Sequence, residues 1–379
     1  MKCIYNLFLL MFIFFVMSCG KSKSSHFSTQ PQIVVGGSHT CVLSRSGYVK
    51  CWGSNQTSQL GSGNEDSKEH STPVDVTDLR FVKRLSAGGS HTCALMGNGK
   101  VKCWGANFSG ALGKDTHGPL FSVPVEVADL GNVKEISASD STTCAVTGEG
   151  LVKCWGNNDY GKLGNGKSSG ESWIPSVVLN LSDAIHVSVG HRHACAITKG
   201  GNVKCWGLYQ HQGASETQAV EIPTLSDVIE VAAGEDRTCV ITSDHRVKCW
   251  GYLYHEPIQG LSGPGPLSYY TQLPVDQTGV RDAIKISVGT RETCIINKNQ
   301  ESYCWGPGFY HLPSPAPAPY AQFNDRVIDI SVGVGHFCVI TGSGSVKCQG
   351  YNGAGQVGVS PDVGGGVLRK PHQISSIRL

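Results

Sequence analysis

Hydrophobic and polar positions alternate in short segments along most of the chain, and the same arrangement returns about every 50 residues. One copy reads VKRLSAGGSHTCALMGNGKVKCWGANFSGALG and is followed by a variable loop and the apolar segment 123–127. Alternation over so few residues, bounded by glycine-rich turns, predicts β-strands. Each unit is thus predicted to be four short strands that bury both faces only by stacking between two neighbours. The sequence therefore predicts an all-β fold.

Counting residues across the central turn of a unit predicts a hairpin. If residues whose numbers sum to 92 face each other, Cys41 opposes Cys51, Leu43 opposes Val49, and residues 45–47 form the loop. Three-residue loops of this kind end in a residue with positive φ, usually glycine, and Gly47 stands there. Strict alternation places the two cysteine Cα atoms about 4.5 Å apart, within disulfide range.

The cysteines fit these hairpins in every unit. Of 16 cysteines, fourteen form pairs spaced by ten residues, which in an exported chain predicts disulfides. The predicted pairs are Cys41 with Cys51, Cys93 with Cys103, Cys144 with Cys154, Cys195 with Cys205, Cys239 with Cys249, Cys294 with Cys304, and Cys338 with Cys348. Structural zinc sites use C-x₂₋₄-C spacing, which these pairs lack. Seven pairs predict a seven-bladed β-propeller with four short strands and one hairpin disulfide per blade.

The N-terminus is predicted to direct export. Residues 1–18 resemble a signal peptide, with Lys2 before an apolar segment too short for a comfortable membrane span. The tetrad that ends at Cys19 resembles a bacterial lipoprotein signal, so we expect lipidation of Cys19; an ordinary signal peptide is the alternative. Residues 19–32 are predicted to be a flexible tether, and 33–379 the propeller.

The net charge of the chain does not indicate a class of binding partner. The formal net charge is +2, without the basic excess of a nucleic-acid binder. Lysines recur at one hairpin position of six units, and we expect their stems to cover apolar surface while the ammonium groups reach solvent; a functional basic ring is the alternative. They are Lys50, Lys102, Lys153, Lys204, Lys248 and Lys347.

Three motifs of the unit, G-x-x-H-T-C-x-L, G-x-V-x-C-W-G and W-G-x-N-x-x-G-x-L-G, resemble the regulator of chromosome condensation repeat. The resemblance covers about residues 33–379 and implies the propeller fold. The eukaryotic founder is an exchange factor for a nuclear small GTPase that acts on chromatin. An exported lipoprotein would meet neither partner, so the resemblance implies a fold more firmly than a function.

Nothing in the repeats points to catalysis, a metal or a cofactor. The family's histidine stands before the first cysteine as His39, His91, His193 and His336. These residues belong to different blades, so we expect hydrogen-bonded turn histidines rather than ligands of one ion. We expect no enzymatic activity and no cofactor.

Units four to six abandon the glycine-rich loop after Cys-Trp-Gly and carry Tyr/His segments instead. Equivalent loops emerge on one face, so these residues are predicted to form an aromatic binding surface. The alternative is that they replace the missing motif residues as local packing. The candidate binding residues are Tyr209, His211, Tyr252, Tyr254, His255, Phe309, Tyr310 and His311.

Together these features predict a non-enzymatic, protein-binding propeller anchored in the bacterial cell envelope, at the outer membrane or the cell surface. Aromatic platforms also stack on sugars, so an envelope glycan-binding or glycan-active propeller is the alternative, and a spacer without a specific ligand is a third. An exchange factor is disfavoured by the export signal, and no nucleic acid is expected as a partner.

Overall fold

The computed structural model describes residues 27–64, 66–115, 118–209, 215–255, 267–306, 314–319, 323, 325–377 and 379. Of residues 254, 255, 267–269, 314–319, 364 and 365 it describes the backbone alone. The predicted signal peptide and Cys19 lie outside the described residues, as do His211, Phe309, Tyr310 and His311.

Seven four-stranded antiparallel sheets form the blades of a β-propeller, as the sequence predicts. The first four blades contain β1 (Gln32–Val35), β2 (His39–Leu43), β3 (Val49–Ser54), β4 (Glu69–Asp75); β5 (Val82–Ala87), β6 (His91–Met96), β7 (Val101–Ala106), β8 (Leu120–Glu126); β9 (Val133–Ser139), β10 (Thr142–Thr147), β11 (Val152–Asn157), β12 (Glu171–Val177); and β13 (Ala184–Val189), β14 (His193–Thr198), β15 (Val203–Gly207), β16 (Glu216–Glu221).

The last three contain β17 (Val228–Ala233), β18 (Arg237–Thr242), β19 (Val247–His255), β20 (Leu267–Asp276); β21 (Ala283–Val288), β22 (Thr293–Asn297), β23 (Ser302–Gly306), β24 (Ser314–Pro319); and β25 (Val327–Val332), β26 (His336–Thr341), β27 (Val346–Tyr351), β28 (Val367–Ile374). Short 3₁₀ helices occupy Asp159–Gly161 and Val363–Gly366.

Each blade is built from one contiguous stretch of chain, with its strands hydrogen-bonded in sequence order. The first strands of successive blades contact one another around the central channel, and β1 closes the ring against β25. Among the described strands, none is exchanged between the first and last blades. The ring is therefore closed by side-chain and backbone contacts between these two blades.

The hairpin register confirms the count from the sequence. Cys41 pairs with Cys51, and the Ser44 amide donates to the Tyr48 carbonyl at 2.9 Å. Gly47 has φ +81°, while His245 and Gln300 adopt φ of 62° and 65° at the equivalent turn position. The turn therefore keeps its left-handed residue even where glycine is replaced.

All seven predicted disulfides are present, one in each blade. Their Cα separations are 4.0 to 4.1 Å, slightly shorter than the predicted distance. Each joins the second strand of its blade to the third, as the hairpin count requires. The bonds link Cys41 to Cys51, Cys93 to Cys103, Cys144 to Cys154, Cys195 to Cys205, Cys239 to Cys249, Cys294 to Cys304, and Cys338 to Cys348.

The core lies between the blades. On the cysteine-bearing face, Leu43 and Val49 of the first blade pack in one cluster with Leu85 and Trp104 of the second. Five of the six Cys-Trp-Gly tryptophans, from Trp52 to Trp250, are at most 1% exposed, and the sixth, Trp305, is 6% exposed. Burial of such large side chains contributes about 3 kcal/mol each and holds neighbouring blades together.

The recurring lysines have local partners at the rim. Lys50 forms an ion pair with Asp75 at 2.7 Å, and Lys347 with Asp325 at 2.5 Å. Lys153 and Lys204 instead donate to the backbone carbonyls of Asp129 and Asn180. Lys248 lies 3.4 Å from Asp276. Five of the six ammonium groups thus have a local partner of their own, which favours separate rim contacts over a shared basic ring.

The propeller has two different faces. The face that carries the loops between first and second and between third and fourth strands, such as 36–38 and 55–68, is the loop face. The face that carries the central hairpin turns, such as 44–48, is the hairpin face. The N-terminal segment lies on the hairpin face, where Phe27 packs edge to face on Phe81 with ring centroids 5.6 Å apart. The described end of the predicted tether thus contacts the propeller.

Candidate functional site

The family histidines form hydrogen bonds between neighbouring blades beneath the loop face. Nε2 of His39 lies 2.8 Å from Thr92 Oγ1 of the next blade, and Thr92 Oγ1 donates to the carbonyl of Gln59. The histidine is therefore the Nε2–H tautomer and donates to the threonine. Burial, more than the nearby His91, lowers the pKa of His39 to about 3, so the ring is neutral. The same contact joins His91 to Thr143, His193 to Thr238 and His336 to Thr40.

Where the histidine is missing, the link to the next blade is made by another residue or loses its threonine. In the fifth blade Arg237 takes its place and donates from Nε to Thr293 Oγ1 at 3.0 Å. In the third blade Thr142 stands at the histidine position, and the next blade presents Ala194 instead of threonine. The histidines thus act as links between blades, and among the described residues no group of three or more His, Cys, Asp or Glu is arranged to hold a metal ion.

An asparagine organises the loop that follows Cys-Trp-Gly in the regular blades. Asn158 Oδ1 accepts the amide of Leu163 at 2.9 Å, and its Nδ2 donates to the carbonyls of Lys167 and Ser169. In this loop conformation Leu163 packs in the cluster around Trp206 of the following blade. Asn55, Asn107 and Asn352 play the same part.

The fourth and fifth blades place Tyr209 and Leu253 at this asparagine position. Tyr209 is 9% exposed and belongs to the core cluster around Trp250, while Leu253 is 4% exposed and belongs to the cluster around Trp305. Each side chain therefore packs in the cluster between its blade and the next, to which the motif leucine contributes in regular blades. For Tyr209 this is the packing role left open by the sequence.

Strands β19 and β20 extend beyond their equivalents and form a ribbon on the loop face. The pairing continues past Gly251 through Tyr252 opposite Tyr270 to His255 opposite Leu267. Rings of Tyr252 and Tyr270 meet at 5.5 Å with an interplanar angle of 60°. Tyr252 is partly exposed. Burial, followed by the charges of Glu216 and Tyr270, raises the pKa of Tyr209. Tyr252 and Tyr270 therefore form an aromatic pair on the fifth-blade ribbon, whereas Tyr209 belongs to the core cluster around Trp250.

The predicted binding residues separate into three groups. Tyr209 is buried in the Trp250 cluster, and Tyr252 is partly exposed on the ribbon. Tyr254 and His255 lie in the projecting part of β19, with Ser268 and Leu267 as their strand partners. His211, Phe309, Tyr310 and His311 lie outside the described residues and stay predictions, as does the binding role of the whole set.

Sequence reasoning missed Tyr270. The signal in the sequence was the Tyr269-Tyr270 pair, which precedes the Pro-Val segment of the fifth unit. Tyr270 is far from Tyr252 along the chain, and only the antiparallel pairing of β19 with β20 brings the two together.

Comparison with known proteins agrees with this architecture. Two models described as "Regulator of chromosome condensation (RCC1) repeat" match residues 32–59, 82–111, 133–162, 184–211 and 228–252 in one case and 46–95 and 149–197 in the other. The chain carries RCC1 repeats. The matched ranges lie in the first four blades and extend into the fifth as far as Tyr252, where the ribbon begins.

Relatives share the repeats over part of their length. The Ultraviolet-B receptor UVR8 of Arabidopsis thaliana is 31% identical over 180 residues, which are 46% of this chain and 40% of UVR8. The human E3 ubiquitin-protein ligase HERC2 is 32% identical over 189 residues, or 48% of this chain and 4% of HERC2. The chain thus matches less than half the length of either relative.

Solved structures share the fold. A chain in the crystal structure of Kap60 bound to yeast RCC1 (Prp20) superposes with a TM-score of 0.74 at 18% identity, covering 92% of this chain and 85% of that chain. Human WBSCR16 gives 0.71 at 18% identity, covering 83% and 88%. At such identities the similarity concerns the fold alone.

Proposed function

We propose that this RCC1-repeat propeller is a non-enzymatic binding protein, tethered to the bacterial cell envelope through lipidated Cys19, that binds another protein with the loop face of blades four to six. The observation that carries the proposal is the projecting β19–β20 ribbon with its Tyr252–Tyr270 pair. Tyrosines combine a large rigid contact area with a polar end, and binding surfaces of proteins are enriched in them.

The position of the N-terminal segment supports this orientation. Phe27 lies on the hairpin face, beside Gly47 and Phe81. A lipid at Cys19, eight residues earlier, would hold the hairpin face toward the membrane and direct the ribbon away from it. Among the described residues, no helix has the length and apolar character needed to cross a membrane.

The comparisons favour protein binding as the general role. Prp20p from Saccharomyces cerevisiae binds Gsp1p and histones, and its structure matches this chain with a TM-score of 0.73 at 19% identity. The relatives nevertheless include a receptor and a ligase, and this chain matches only part of each. Exchange-factor activity is disfavoured because the predicted export signal would separate the chain from a nuclear GTPase.

A glycan ligand is the second candidate, because a pair of tyrosine rings at a surface can also stack on sugars. It predicts tight binding of purified envelope polysaccharide by the propeller, whereas the first proposal predicts one protein that binds through the ribbon.

A tyrosine in the seventh blade provides a matched control for the test. Tyr351 follows Gly350 as Tyr252 follows Gly251, and it is 45% exposed. The partner would be cross-linked and captured from native envelopes, identified, and then titrated against the wild type, a Tyr252→Ala/Tyr270→Ala variant and Tyr351→Ala. We expect the double variant to weaken binding by about thirtyfold or more, and Tyr351→Ala to change it little. Equal affinity of the double variant and the wild type would refute the proposed surface.

A further inference from the structure

One side chain from each blade points toward the channel at its hairpin-face mouth. These residues share a register position, since each pairs with the residue two places after the first disulfide cysteine of its blade, as Glu230 does with Ile241. The ring consists of Gln32, Arg84, Glu135, His186, Glu230, Lys285 and Asp329.

Most members of the ring satisfy one another. Arg84 forms an ion pair with Glu135, and Lys285 forms one with Asp329. The Asp329 carboxylate also accepts the amide of Ile33 at 2.7 Å. Gln32 exchanges two hydrogen bonds with the backbone of Leu85. These ion pairs neutralise two of the three carboxylates of the ring and use both of its cations.

Glu230 remains without a matching cation among the described residues. Its carboxylate accepts only the distant amide of Ile286, at 3.5 Å. Burial raises the pKa of Glu230 to about 7, and Asp329 opposes ionisation, while Lys285 and Arg84 favour it only in part. The neighbouring His186 is kept neutral because burial lowers its pKa, and its Nδ1 has no partner in the described part of the chain.

A cavity of about 430 Å³ opens above this part of the ring. Glu230, His186 and Lys285 line it together with Ile229, Ile284, Ile328 and Pro31. Ile229 and Ile284 are 48% and 43% exposed, so they present apolar surface in the cavity that Glu230 lines. Lys83 also lines the rim, but it is exposed to solvent and is not among the charges that act on Glu230.

We propose that this mouth is a binding site for a primary alkylammonium group, with the ammonium on the Glu230 carboxylate and its apolar stem against Ile229 and Ile284. A single positive charge balances the carboxylate that the ring leaves unpaired, and a buried charge is stable only when it is paired. An ammonium has three N–H donors, and His186 Nδ1 offers a second acceptor at the same cavity. The isoleucines favour an organic cation over a hydrated metal ion.

The pH dependence follows from the ionisation of Glu230, in the presence of Arg84, Glu135, His186, Lys285 and Asp329 around it. An ammonium binds the carboxylate form, so affinity should rise with pH. With the pKa of Glu230 at about 7, the ionised fraction and hence the affinity should increase about tenfold from pH 6 to pH 8.

The test is calorimetric titration of the purified protein with ethyl-, butyl- and hexylammonium chloride at both pH values. We expect saturable binding that strengthens with chain length, is lost in Glu230→Gln and is retained in Glu235→Gln, a carboxylate of the same blade at the opposite mouth. Ile284→Ser should remove most of the chain-length dependence. Absence of saturable binding, or equal binding by Glu230→Gln, would overturn the proposal.

A second titration distinguishes the two sources of such a group. If blocked lysine, N-acetyl-lysine methylamide, binds as butylammonium does, the natural ligand is a lysine side chain of a polypeptide. If butylammonium binds and blocked lysine does not, the ligand is a free amine. The site lies on the face opposite the tyrosine ribbon, so its failure would leave the proposed protein-binding surface untouched.

Discussion

His336 of the seventh blade donates from Nε2 to Thr40 Oγ1 of the first blade over 2.8 Å, and Thr40 Oγ1 donates in turn to the carbonyl of Gln356. Both side chains are fully buried. Because each blade is contiguous in the chain, the ring closes through such side-chain contacts rather than through an exchanged strand. The Trp52 indole adds a second link by donating to the same Gln356 carbonyl at 2.9 Å.

The His336–Thr40 contact predicts energetic coupling between the two ends of the propeller. His336→Ala and Thr40→Val should each lower the free energy of unfolding by about 1 to 3 kcal/mol, since each leaves a buried polar group without its partner. The double variant should lose about 1 kcal/mol less than the sum. Chemical denaturation of the four proteins measures this coupling, and strictly additive losses would show that the contact contributes nothing.

The buried histidines also predict a specific loss of stability in acid. The pKa of His336 is lowered to about 3, chiefly by burial and further by His39, so the unfolded chain takes up its proton first. The stability this residue confers is present above about pH 6.5 and is lost as the pH falls toward its folded pKa. Each such histidine should steepen the decline by about 1.4 kcal/mol per pH unit.

Unfolding free energies measured between pH 4.5 and 5.5 check this dependence. His336→Ala should reduce the slope by about 1.4 kcal/mol per pH unit, whatever it does to the absolute stability. An unchanged slope would mean that His336 is protonated in the folded protein.

Local features of this fold were predictable from the sequence, whereas features that join distant residues were not. The pairing of Cys41 with Cys51 follows from counting across one turn, and the blade number follows from repeating that count. The role of Tyr209 stayed open because the same residue type suits a surface loop and a gap beside Trp250. The channel ring was missed because its members are about 50 residues apart and differ in chemistry, so that no short motif reveals them.

The sixth-blade turn offers a stabilising substitution. Gln300 has φ +65° at the position where five other blades have glycine, a conformation that strains a residue with a Cβ atom. Gln300→Gly should raise the free energy of unfolding by about 0.5 to 1 kcal/mol, after the greater entropy of glycine in the unfolded chain is subtracted. Asn299→Gly, at the preceding position without positive φ, should not stabilise. Thermal denaturation compares the two variants, and a loss of stability in Gln300→Gly would contradict the argument.

The tyrosines of blades four and five should separate packing from binding. Tyr209→Ala removes a buried ring from the Trp250 cluster and should lower the free energy of unfolding by about 3 kcal/mol. Tyr252→Ala removes a partly exposed ring paired with Tyr270 and should lower it by only about 1 kcal/mol. Denaturation curves of both variants test this order. Similar losses would indicate that Tyr252 is also a core residue, which would weaken its proposed role in recognition.

Lipid anchoring at Cys19 predicts a change in location. Cys19→Ala should shift the protein from the membrane fraction to a soluble or unprocessed form, because the lipoprotein modification supplies more than one acyl chain and its loss removes the anchor. Cell fractionation followed by immunoblotting measures this shift.

Phe27→Ala is the matched control: it disturbs the contact of the N-terminal segment with Phe81 but leaves the lipid in place, so it should remain in the membrane fraction. The eight peptide steps from Cys19 to Phe27 span at most about 29 Å, so the anchor would keep the hairpin face close to the bilayer. If Cys19→Ala stays bound to the membrane as the wild type does, the anchor lies elsewhere and the proposed orientation of the ribbon loses its basis.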